Sequence, residues 1–267
     1  MLKDITLGQY FPGNTVVHRL DPRSKILLVI VYIVALFCAK HIVTYGIMLA
    51  ALVGVIAASK IKIGVIMKSM KPLLFIILLT GILNLFYTQG EALLKLWIFT
   101  ITKEGIWSAA FMVLRITMLI SGTFMLTYTT SPIALTDAIE QLLKPLKKVK
   151  VPVHELAMMM CIALRFIPTL IEETDKIMSA QKARGADFET GSLLSRAKAL
   201  IPILVPLFIG AFRRADELAV AMECRCYHGG DGRTRMKQLK YAARDVIALL
   251  GGAALLITVI ALGHFGL

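Results

Sequence analysis

The sequence predicts an all-α fold: a multi-pass membrane protein of about five transmembrane helices, with long amphipathic helices on its cytoplasmic side. Three observations predict it. Of 267 residues, 57% are apolar and only 18% charged, and the mean hydropathy is +0.75, too oily for a water-soluble exterior. Apolar runs recur at 26–39, 42–58, 72–87, 106–128 and 246–265, against about 20 residues for a spanning helix. The Lys and Arg residues cluster in segments that alternate with those runs, as cytoplasmic loops do. These segments also account for the net charge of +13 without nucleic acid as a partner. Four scattered cysteines, Cys38, Cys161, Cys224 and Cys226, make no disulfide scaffold.

The first 25 residues are polar and turn-rich and lead into no signal-peptide core, so the N-terminus is expected to be retained. The run 26–39 is short. It is either one arm of a hairpin with 42–58, turning at Lys40-His41, or part of a single long tilted helix. Charge decides for the hairpin, because residues 1–25 and the 59–71 loop each hold four Lys/Arg, which places both flanks inside. Residues 129–245 hold eighteen more, so 26 of the 30 basic residues fall on one side. The expected topology is five spans with the N-terminus cytoplasmic and the C-terminus extracellular. The domains are 1–130 with four spans, 131–245 in the cytoplasm, and 246–267 as the last span.

Arg115 lies near the middle of the fourth run, where a bare guanidinium costs several kcal/mol. Two readings stand: a contact with a partner subunit or substrate route, or a structural tie to a backbone carbonyl.

The insert reads as a string of amphipathic helices. Ser131-Pro132 opens the first, which stops near Pro152. A second follows to Gly185, a natural C′ residue, and a third runs from Ser192 toward Gly229-Gly230. Each long helix joins an apolar half to a charged one (156–171 to 172–184; 199–212 to 213–227). With 14 to 16 apolar residues interrupted by Arg165 or prolines, the apolar halves are expected at an interface or in a bundle rather than across the bilayer. The charged halves echo each other. DKIMSAQKARG from Asp175 and DELAVAMECRC from Asp216 both place Arg nine residues after Asp. Ile177 with Ala180, and Leu218 with Ala221, share the arginine's face. A cation in a last turn can simply complement the helix dipole. Two equivalent tips 41 residues apart suggest instead a pair of docking knobs for two similar partners.

Recognisable chemistry is missing from the sequence. There is no phosphate-binding loop, no H-E-x-x-H or paired Cys/His spacing, and no G-x-S-x-G elbow. Acidic residues are almost confined to the insert, which argues against a membrane-embedded proton relay.

Three stretches, YFPGNTVVHRLDPRSK (Tyr10 to Lys25), Ala183-Arg184-Gly185 and AMECRCY at 221–227, together resemble the transmembrane T component of energy-coupling factor (ECF) transporters. That family also includes the permease subunit of cobalt and nickel uptake systems. The resemblance implies a non-catalytic scaffold in a prokaryotic cell membrane. It would bind two ATP-binding-cassette (ABC) subunits on the cytosolic side and a membrane-embedded substrate-binding S component for vitamin or micronutrient uptake. ATP and Mg would be bound by the partner ATPases, with no cofactor or metal on this chain. The family's docking arginines, at the ends of coupling helices, map onto Arg184 and Arg225. The second triplet reads Cys224-Arg225-Cys226, and with cysteine in place of glycine its helix ending is expected to differ from the first. Rival readings are a cobalt or nickel permease subunit, a self-contained secondary carrier and a membrane enzyme. Apart from the first, each lacks the ionisable groups or repeats it needs.

Overall fold

A computed structural model describes residues 10–39, 41–88, 92–96, 99–188, 192–230 and 238–265. These residues are overwhelmingly helical and pack as two units, Gly8–Ser131 with Leu239–Leu267, and Pro132–Gln238.

In the first unit, α1 (Pro22–Cys38) and α2 (Ile42–Ser59) are separate helices joined by a short turn at Ala39–His41, as the hairpin reading expects. Asp21 caps α1 by accepting from the Arg23 amide, and Pro22 takes the first helical position, where its missing N–H is no loss. The 59–71 segment departs from its expected role as a loop. It forms α3 (Ile63–Met70), which runs through a 3₁₀ turn at Lys71–Leu73 into α4 (Leu74–Tyr87). Pro72 falls in the opening of that turn and therefore does not break the rod.

A short antiparallel hairpin follows, β1 (Ala92–Leu96) with β2 (Phe99–Thr102), an addition to the otherwise all-α fold. The fourth run becomes α5 (Lys103–Thr129), capped by Thr102, whose hydroxyl accepts from the Gly105 amide. α9 (Ala243–Phe265) closes the unit. α4 packs along α5 and α1 along α9. One apolar core joins Leu36, Tyr45, Met48, Met118 and Val259; a second joins Ile66, Ile77, Met125 and Tyr128. Gly252 lets α9 approach α1 closely, since a Cβ there would come within 2.5 Å of Leu28 Cδ2.

Five helical stretches are long and apolar enough to cross a membrane: Ile42–Ser59, Ile63–Tyr87, Lys103–Thr129, Val153–Ala183 and Ala243–His264. Four match predicted spans. The fifth, α7 (Val153–Ala183), carries the apolar half placed at an interface by the sequence, while α1, at 17 residues, is about a third of a turn shorter than α2. Length and composition therefore leave α1 and α7 nearly exchangeable as the fifth span.

The second unit contains α6 (Pro132–Leu143), a 3₁₀ turn at Lys144–Val149, α7 and α8 (Leu193–Glu223). α6 is tied to α7 by His154 Nδ1 and Glu140 Oε1 at 3.1 Å.

Candidate functional site: two arginine-tipped helix ends

α7 ends at Ala183 with Arg184 as its C-cap. Gly185 follows in the left-handed region at φ +86°. Its amide donates to Lys182 O at 3.0 Å, and the Ala186 amide donates to Gln181 O at 3.0 Å. These paired bonds, from C′ back to C2 and from C″ back to C3, form a Schellman ending, which satisfies carbonyls that the last turn leaves open.

The end of α8 is built the same way. Cys226 takes φ +54°; its amide donates to Glu223 O at 2.8 Å, and the Tyr227 amide donates to Met222 O at 3.1 Å. The expectation that Cys224-Arg225-Cys226 ends its helix differently from Ala183-Arg184-Gly185 is therefore corrected. The backbone bonds that close the helix act on Cys226 just as on Gly185, and the cysteine adopts a conformation that costs a non-glycine residue about 1–2 kcal/mol. Both arginines occupy the C-cap position. Both are exposed, and among the described residues neither guanidinium has a carboxylate partner. Cys224 and Cys226 are free and exposed on either side of Arg225. Ile177 and Leu218, seven residues before the arginines, are both half-buried.

The two helices are joined by an ion pair that sequence reasoning missed. Glu173 Oε2 on α7 lies 2.7 Å from Arg214 Nη2 on α8. Gly210 brings the α8 backbone against this pair, since a Cβ there would stand 3.0 Å from Glu173 Oε1. Glu173 precedes Arg184 by eleven residues, and Arg214 precedes Arg225 by the same eleven. The clasp therefore links repeat-equivalent positions, and each arginine extends about 16 Å along its helix beyond it. Extending the 41-residue echo upstream by two positions pairs Glu173 with Arg214, opposite charges in one slot, the one signal the sequence held. An apolar hollow beside the clasp lies between Ile162, Phe166 and Leu170 of α7 and Leu218 and Met222 of α8.

Arg115 lies elsewhere, in the first unit. Its Nε donates to the Tyr45 hydroxyl at 2.8 Å and its Nη2 donates to Ala39 O at 3.1 Å. Ala39 is the C-cap of α1, so the guanidinium sits at the negative end of that helix. This is the geometry of the structural tie.

The N-terminal motif also serves the membrane unit. The Phe11 amide donates to Tyr128 O at 3.0 Å, and Lys25 Nζ donates to Thr129 O at 2.8 Å, His18 O at 3.2 Å and Thr130 Oγ1 at 3.3 Å. Both Tyr128 and Thr129 lie in the last turn of α5, so the motif closes that helix's open carbonyls. Asp245, 1% exposed, accepts from the Asp21 amide and the Ala242 amide, each at 2.7 Å, tying the start of α1 to that of α9. Burial pushes the Asp21 carboxyl up, but hydrogen bonds and charge from Arg23 outweigh it and hold the group below the usual carboxylate range.

A multi-pass helical membrane subunit that carries matched cationic helix ends is the class these features define. The profile of the CbiQ family, described as cobalt transport protein, matches residues 13–236. The energy-coupling factor transporter transmembrane protein EcfT of Thermosediminibacter oceani is 55% identical over 249 residues, covering 93% of this chain and 94% of its own. Its namesake in Clostridium kluyveri is 57% identical over 252 residues (94% and 93%), and that in Bacillus subtilis is 46% identical over 260 residues (96% and 98%). The chain belongs to the family of energy-coupling factor transporter transmembrane proteins, the T components of these transporters.

Proposed function

We propose that this chain is the scaffold that couples two cassette ATPases to a membrane-embedded S component. Arg184 and Arg225 dock into grooves on the two ATPases, with Ala183, Gly185, Cys224 and Cys226 shaping the tips. A planar guanidinium suits this task because it can form a bidentate pair with a carboxylate in a partly desolvated groove. The observation that carries the reading is the matched pair of helix endings, each holding an exposed arginine at the same distance from one clasp.

ATP and Mg are held by the ATPases, and this chain contributes no catalysis of its own. When nucleotide binding draws the ATPases together, the gripped tips shift and the apolar halves of α7 and α8 pass the displacement to the surface that holds the S component. The setting is a prokaryotic cell membrane, with the N-terminus and residues 131–245 cytoplasmic, and with 1–130 and 246–267 as the membrane-embedded parts. Cargo selection resides in the S component, for a vitamin or other micronutrient. A cobalt or nickel importer is the second reading, favoured by the description of the matching family.

Reconstitution with the two ATPases and an S component tests the proposal. Arg184→Glu combined with Arg225→Glu is expected to abolish ATP-driven uptake while the chain still inserts. Undiminished uptake by that variant overturns it.

A further inference from the structure

The first unit contains a cavity of about 350 Å³ enclosed by α1, α2, α5, α9 and the N-terminal segment. Its walls are hydrocarbon, with Leu28, Leu52, Met125 and Leu255 among them. The cavity reaches the outer face, because Val55 and Gly251, both exposed, line it. Water gains nothing by entering an apolar cavity of this size, and it is too narrow for a helix, which needs about 10 Å. A single acyl chain of a surrounding lipid fits it in both chemistry and width. One end of the cavity is lined by Val17 and Leu20, and between these two lies Arg19, exposed and without a carboxylate partner among the described residues. An apolar slot with a cation at one end matches a lipid whose headgroup is negative.

We propose that this cavity is a binding site for one anionic phospholipid, with an acyl chain between α1, α2, α5 and α9 and its phosphate at Arg19. The site is independent of the docking arginines, which belong to the other unit.

Gly251 provides a clean test. A Cβ there meets nothing within 4 Å, so Gly251→Phe fills the cavity without displacing a neighbour. The full-length chain is released from nanodiscs containing equal parts phosphatidylglycerol and phosphatidylethanolamine and read by native mass spectrometry. The wild type is expected to retain one phosphatidylglycerol. Gly251→Phe is expected to lower that occupancy at least tenfold with an unchanged melting temperature. Arg19→Gln is expected to equalise the two lipids while leaving total lipid retained. Three results overturn the proposal: a wild type that retains no lipid, as when the cavity receives a partner's side chain instead; a Gly251→Phe variant that retains phosphatidylglycerol as the wild type does; or an Arg19→Gln variant with undiminished headgroup preference. If Gly251→Phe lowers the melting temperature, Val55→Trp, from another wall, replaces it under the same criteria.

Discussion

The ends of α7 and α8 reach one backbone geometry from different residues. At the first, glycine holds the left-handed position at φ +86°; at the second, a cysteine holds it at φ +54°, and the closing hydrogen bonds agree to within 0.2 Å. The helix end is thus set by the carbonyls that must be satisfied, while the residue at C′ sets only the energy of satisfying them. The arginine's place at the C-cap survives the exchange, which is what a pair of equivalent docking tips requires.

The largest expected effect examines that equivalence directly. Each of Arg184→Glu and Arg225→Glu alone should weaken binding of the ATPase pair by about 2–5 kcal/mol, and the two losses should agree within about threefold in Kd, close to 0.6 kcal/mol. Titration of ATPases onto the purified chain measures both, and a large inequality breaks the comparison. Next comes the clasp. Glu173→Arg or Arg214→Glu should each destabilise the second unit by about 1–3 kcal/mol through an uncompensated, half-buried charge. The double exchange should restore most of the loss, which a thermal unfolding series reads as a double-mutant cycle.

A smaller effect separates the two endings. Gly185→Ala should cost about 1 kcal/mol, all of it backbone strain because its Cβ would meet open space. Cys226→Gly should stabilise by about 0.5–1 kcal/mol by relieving the same strain, less the chain entropy that glycine adds. Opposite signs at the same position of two tips would sharpen the claim that only strain differs between them. Smallest of all, Cys226→Ser should change stability by under about 0.5 kcal/mol, since the exposed thiol makes no packing contact to lose. A larger shift would mean that the sulfur itself shapes the second tip.

Most of the helices could be read in advance because their signals are local. Pro22 after Asp21, Pro132 after Ser131 and Gly185 after a charged last turn mark starts and stops through capping chemistry that acts within a few residues. The segment around Pro72 misled because proline forbids a helix interior but fits the opening of a 3₁₀ turn, and which of these forms depends on what Met70 and Ile77 pack against. The short hairpin before α5 carried no alternating pattern strong enough to announce it. At the site, the two arginines were visible as a repeat, whereas Glu173 and Arg214 became meaningful only when found 2.7 Å apart.

The sequence by itself determined that the chain lives in a membrane, where its helices begin and end, and that two arginines stand at equivalent helix tips. Hydropathy, capping and periodicity act over a few residues or turns. Tertiary structure decided what no local rule reaches: that Arg115 is spent on Tyr45 and the end of α1, that Lys25 and Phe11 close the end of α5 more than a hundred residues away, and that a cysteine can stand in a glycine's place. Each depends on groups distant in sequence being brought within hydrogen-bond range, where a buried donor or acceptor must find a partner or forfeit its hydration.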